Sequence, residues 1–244
     1  MIFIRKIKSG IFHFYVFVKK IETNTQAYFA EKSVSKCLSK INKDSPKVLI
    51  GANVLKPNGV DFHMHAIQEL SQRDICLIPS DSILKKISFN DFFKNHIDKI
   101  NPLSNSILHS HVYPNYINWC HEQKSKNPNI KWIHTYHAHY FPEYSEGEFL
   151  DWQKEFNRTF IEVASKADVK ISVSKWQQLL YKEKFNIDTL YIPNGVDVVK
   201  CDNANADVFY KTYGLKNFIL NVSRHDPVKN PKEFVLLAQS MPEY

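Results

Sequence analysis

Five histidines fall close together near the middle of the chain, at His109, His111, His134, His137 and His139. Imidazole offers two distinct nitrogens, titrates near neutral pH and is the commonest nitrogen ligand for zinc. The cluster therefore admits a metal site, although no HExxH-type motif supplies an accompanying carboxylate. It equally admits histidines that only fill space, buried or at the surface. A second candidate is Lys56-Pro-Asn-Gly-Val-Asp61, whose backbone amides could face an anion at the start of a helix. It lacks the GxGxxG and Walker spacings, and Asn58-Gly59 is a common turn dipeptide, so an ordinary turn is an equal reading. The third is Ser223-Arg-His-Asp-Pro-Val-Lys-Asn230, where Arg224 supplies a planar fork and Lys229 a point charge. Basic residues on a loop are usually no more than exposed cations. Ser174 ends the passage Ile171-Ser-Val-Ser174 and could equally close a buried strand.

The elements that would position these residues alternate. Lys47–Leu55 reads as a buried strand, Lys56–Asp61 as a loop, and Phe62–Arg73 as a helix with Met64, Ile67 and Leu70 on its apolar face. Ile75–Ile78 is the next strand. A helix capped by Asn90 follows, through Phe93, Ile97 and Ile100. Ser106–His111 and Ile130–His137 read as strands on either side of a helix around Tyr116–Lys124. A long helix from Phe149 to Ala167 repeats Trp152, Phe156, Phe160 and Val163 on one face. Val169–Val173, a helix over Gln177–Lys184 and Thr189–Ile192 complete the series. Alternation of this kind predicts βαβ units and a parallel sheet, with ligands at the carboxyl ends of the strands. On that arrangement several of the histidines converge on one sheet edge.

The charge is uneven. Of the net +7, residues 1–50 account for the whole, with ten Lys/Arg against three Asp/Glu, leaving 22 of each sign in the rest of the chain. A basic excess at one end argues against a nucleic-acid groove and for a local anionic surface. Residues 2–21 place Ile4, Ile7, Ile11, Phe14, Val18 and Ile21 at helical spacing among five Lys/Arg. The run Ile11–Val18 is too short to span a bilayer. This predicts an interfacial helix on an anionic membrane surface, the competing reading being a helix packed on the protein body. The four cysteines are scattered without CxxC spacing, so neither a disulfide framework nor a zinc finger is expected, and the predicted setting is cytoplasmic, peripheral to the inner face of the cytoplasmic membrane.

Leu190-Tyr-Ile-Pro-Asn-Gly-Val-Asp197 followed by Phe218-Ile-Leu-Asn-Val-Ser-Arg-His-Asp-Pro-Val-Lys-Asn230 resembles the domain junction of family 4 glycosyltransferases of the GT-B fold. The resemblance covers about residues 47–244. It implies an α/β, Rossmann-like acceptor-side domain over residues 46–197, after a basic extension over 1–45. A linker over 198–215 and the start of a second Rossmann-like, nucleotide-sugar domain over 216–244 follow. It implies a retaining transferase moving a sugar from a UDP- or GDP-sugar to a lipid-linked or polysaccharide acceptor, such as a lipopolysaccharide or capsule precursor, with neither cofactor nor metal. His137 then takes the catalytic position beside the transferred sugar. Arg224 and Lys229 match the pair that holds the donor diphosphate, and Gly59 matches one glycine of a loop that usually has two. His109, His111, Ser174 and Asn194 line the cleft. Ser223 stands where relatives often carry glycine, and the chain ends before the paired glutamates and terminal helix of the family. A non-catalytic acceptor-binding fragment is therefore the alternative, with the last thirty residues expected to be loosely held.

Overall fold

The computed structural model describes residues 28, 31–44, 47–142, 149–215, 219–223 and 230–241. The predicted interfacial helix at residues 2–21 lies outside the described residues, as do Arg224 and Lys229.

Six strands form one parallel sheet: β1 (Val48–Gly51), β2 (Ile75–Ile78), β3 (Ile107–Ser110), β4 (Lys131–Tyr136), β5 (Val169–Ser172) and β6 (Leu190–Tyr191). Their order is β2-β1-β3-β4-β5-β6. The chain thus builds outward from β1 to β2, crosses back, and adds the remaining strands on the other side. The reversal makes the β1–β3 boundary a topological switch point, where loops leave in opposite directions and a crevice opens at the carboxyl ends. The molecule is α/β, as the alternating pattern predicts. Among the described residues no helix is long and apolar enough to cross a membrane.

Period-two alternation divides the core between the two faces of the sheet. Val48, Ile50 and Ala52 pack with Leu77 against Met64 of helix α2 (Gly59–Leu70). Leu49, Ile78, Leu108, Trp132 and Tyr136 point the other way, into a larger cluster with Phe92, Tyr116, Phe160 and Tyr181. Past the short α3 (Asp81–Leu84), those four aromatic rings come from α4 (Phe89–Asn95), α5 (Pro114–Lys126), a helical turn over Thr159–Val163 and α7 (Lys175–Phe185). Gly51 is forced by this packing: a Cβ there would stand 2.6 Å from the Tyr116 ring.

Several boundaries differ from the sequence reading, each for a local reason. Residues 31–44 form a helix, α1, whose Val34 and Leu38 are buried in the larger cluster, so the body of the protein begins before residue 46. Asn90 does not cap α4; the Ser88 hydroxyl does, accepting from Asp91 N at 3.1 Å. The predicted helix 149–167 is three pieces: α6 (Asp151–Arg158), a π turn at Thr159–Val163 and a 3-10 turn at Ala164–Lys166. The wide turn brings Ala164 into the core along with Phe156 and Phe160, while Trp152 stays exposed. The region read as a linker carries two short helices, α8 (Val198–Asp202) and α9 (Asp207–Tyr213). Beyond it, residues 219–223 pair with no strand among the described residues, and Pro231–Ser240 form α10.

Candidate functional site

The loop from β1 to α2 is the best-tied part of the carboxyl edge. Asn58 caps α2 by accepting from Val60 N and Asp61 N at 2.8 and 3.2 Å, and Asp61 accepts in return from Asn58 N at 2.9 Å. This is a capping box with Asn and Asp as its members. Asp61 is fully buried and also accepts from Asn53 N at 2.8 Å and from the Tyr113 hydroxyl at 2.7 Å. One carboxylate therefore closes the loop onto both β1 and the segment after β3. Burial and that carboxylate hold the Tyr113 hydroxyl protonated, far above its usual range. Gly59 opens the helix with free space where a side chain would stand, and Gly195 has the same freedom.

These two glycines face one cleft of about 1040 Å³. Its first wall is α2, through Gly59, Phe62, His63, Ala66, Ile67 and Leu70, which recur at helical spacing on one face. Its second wall is the exposed segment Asn194–Val199. Its size is on the scale of small-molecule sites.

Behind His63 the histidines separate by strand register. His109 pairs in register with Ile133, and Ser110 with His134. Odd-numbered residues of these strands thus share the α2 face and His134 takes the opposite one. His109 Nε2 lies 2.8 Å from Thr135 Oγ1, and His111 Nδ1 lies 2.9 Å from His137 Nε2. The His63 ring meets both His111 and His137 edge-on, with centroids 5.9 and 5.4 Å away. The nearest ring nitrogens of His63, His111 and His137 all lie within 4.8 Å of one another. His139 packs instead with Tyr181 and Phe185, away from this group.

His63, His109, His111, His134 and His137 are all shifted toward the neutral form. Burial, reinforced by the neighbouring histidines, pushes His109 down to about 3 and His137 down to about 4. His111 and His134 are driven well below the usual histidine range, and His63 is lowered too, in each case chiefly by burial. A neutral imidazole can accept and donate one hydrogen bond, or bind a metal through a lone pair.

Of the residues singled out in the sequence, Gly59 and Asn194 face the cleft, and His109, His111 and His137 gather behind its His63 wall. Ser174 does not line it; its hydroxyl caps α7 by accepting from Gln177 N at 3.1 Å. His63 is absent from the sequence expectations, and Asp61 stands there only as the last residue of the loop motif. The signal for His63 was available: it follows Gly59 by four residues, one turn along the same face of a helix that begins at the glycine loop. Comparison with known proteins gives no matching family model and no matching curated protein.

Proposed function

We propose that this chain is a retaining GT-B glycosyltransferase, or a truncated form of one, that moves a sugar from a UDP- or GDP-sugar donor to a lipid-linked or polysaccharide acceptor. The observation that carries the proposal is one cleft lined by Gly59, His63 and Asn194 beside a parallel sheet, with the neutral His137 group standing directly behind its His63 wall. In this reading the sugar lies with a hydroxyl toward His137, which orients it by hydrogen bonding without carrying charge. His109 and His111 keep that ring in place. The open space at Gly59 lets donor phosphates approach the start of α2, where the helix dipole favours an anion while the amides of Val60 and Asp61 stay with the Asn58 cap. As the bond from the sugar to the diphosphate breaks, the leaving diphosphate gains negative charge, which Arg224 and Lys229 neutralise. No step in this scheme needs a metal.

The test is calorimetric binding of a panel of UDP- and GDP-sugars, paired with transfer assays on lipid-linked and polysaccharide acceptors. Loss of two charge-assisted contacts costs roughly 3–6 kcal/mol, so Arg224→Ala with Lys229→Ala should weaken donor binding by about 100-fold or more. Absence of binding and transfer with every donor defeats the proposal. A second reading, an acceptor-binding unit without a donor site of its own, draws on α8, α9 and α10, none of which buries a residue. Acceptor binding that persists while every nucleotide sugar fails to bind selects it.

A further inference from the structure

Beyond the transfer reading, and independently of it, we propose that His63, His111 and His137 hold a divalent transition-metal ion, with Zn2+ the matched case. Their three ligand atoms lie within 4.8 Å of one another. Zn–N bonds of about 2.0–2.1 Å put the nitrogens of a tetrahedron roughly 3.4 Å apart, a difference that rotation of the rings can close. The three side chains come from three elements: α2, the end of β3 and the end of β4. Backbone positions set by packed elements rather than by one loop suit a preorganised site.

The chemistry of the donor set points the same way. It has three imidazoles and neither a thiolate nor a carboxylate, since Asp61 is engaged with loop amides and Tyr113. Such a set suits Zn2+, Co2+, Ni2+ or Cu2+ and disfavours Ca2+ and Mg2+. His109 is committed to Thr135 and only packs against His111, at 4.2 Å between ring centroids. His111 is 1% exposed, and its Nε2 is buried without a hydrogen-bond partner. Buried polar atoms are nearly always paired, so His111 keeps one nitrogen free for a ligand, and a metal would replace the 2.9 Å contact between His111 Nδ1 and His137 Nε2. Three protein ligands leave further coordination open on the side where His63 lines the cleft.

The test is titration of chelator-treated full-length protein with Zn2+, and with Co2+ for its visible spectrum. The expected result is one equivalent per chain, with the intense visible bands of four-coordinate Co2+. His63 is only partly buried, so His63→Ala is the variant of choice, with His137→Ala beside it. Each should bind about 100-fold more weakly or worse, because even partners outside the first coordination shell are worth 10–100-fold. His65→Ala, on the same helix but outside the trio, should bind as the parent does. Thermal unfolding gives a second readout: Zn2+ should raise the midpoint of the parent and of His65→Ala but not of His63→Ala. Binding well below one equivalent overturns the proposal. So does equal affinity in His63→Ala and His65→Ala, which would mark ordinary surface histidines.

Discussion

At the scale of single residues, the carboxyl edge depends on a side chain that touches no proposed ligand. Asp61 receives two backbone N–H groups and the Tyr113 hydroxyl in a fully buried position. Asp61→Asn turns one acceptor into a donor facing donors, so a backbone amide loses its partner. The expected cost is about 2–3 kcal/mol in urea unfolding. Tyr113→Phe should cost less, and the two changes should be non-additive because they share one carboxylate. A cost for Asp61→Asn within experimental error of zero would mean the loop is held by other groups. His134 makes a prediction of another kind. Trp132 Nε1 donates to Ser110 Oγ at 2.8 Å, and Ser110 Oγ lies 2.9 Å from His134 Nδ1. The ring is clamped between Tyr136 and Phe160 with no charged partner, and burial drives its protonation far down. Above pH 6.5 the ring is neutral in both folded and unfolded chains, so its full contribution to stability is present. As pH falls below that value the unfolded chain takes up the proton first, and stability declines by about 1.4 kcal/mol per pH unit until the folded ring also titrates. Replacing it by His134→Gln should flatten the stability profile between pH 6 and 4.5 by about that slope. An unchanged slope would show that His134 does not resist protonation in the folded state.

At the scale of elements, the parts that the sequence announced are those whose pattern is set by one kind of burial. β1 reads as a continuous apolar run because strands in a parallel sheet are covered on both faces, and β3 and β4 keep an apolar pair before their histidines. α5 and α7 read correctly because each lays one stripe on that sheet. The misses have physical causes. α1 hides its apolar stripe, Val34 and Leu38, among lysines and serines, and a narrow stripe carries little hydrophobic weight in a window of that length. The π turn at Thr159–Val163 inserts an extra residue per turn, which no regular period anticipates. For the site, local sequence supplied His109, His111 and His137 because strand ends carry them. It could not show that register sends His134 to the other face, nor that α2 returns to bring His63 against them. The helix α1 can be checked directly. Leu38 is 3% exposed within the main cluster, so Leu38→Ala should destabilise the whole protein by about 2–5 kcal/mol. A loss confined to local helix content, with the cooperative transition unmoved, would return residues 31–44 to the status of an appendage.

For the whole molecule, the contrast between its two ends decides how the cleft can work. The sheet, its covering helices and the segments that join them hold the two core clusters, whereas α8, α9 and α10 contribute no residue to them. Apolar side chains along that later segment stand in solvent, Val208 at 75% exposure and Leu220 at 62%. Amide protection follows buried contacts, because a hydrogen bond opens as easily as the packing around it allows. Amides of β1, β3 and β4 should therefore exchange only through global unfolding, while those of α8–α10 should exchange orders of magnitude faster. Sheet-like protection of α10 would contradict this and imply packing beyond the contacts described. The same measurement bears on the cleft, since its α2 wall belongs to the rigid part and its Asn194–Val199 wall to the exposed part. A ligand that spans both must order the second wall against the first. On the transfer reading, a nucleotide sugar that binds should slow exchange in Asn194–Val199 and leave β1, β3 and β4 unchanged. Slowing restricted to α2, with Asn194–Val199 exchanging as before, would place the ligand on one wall only and remove this segment from the site.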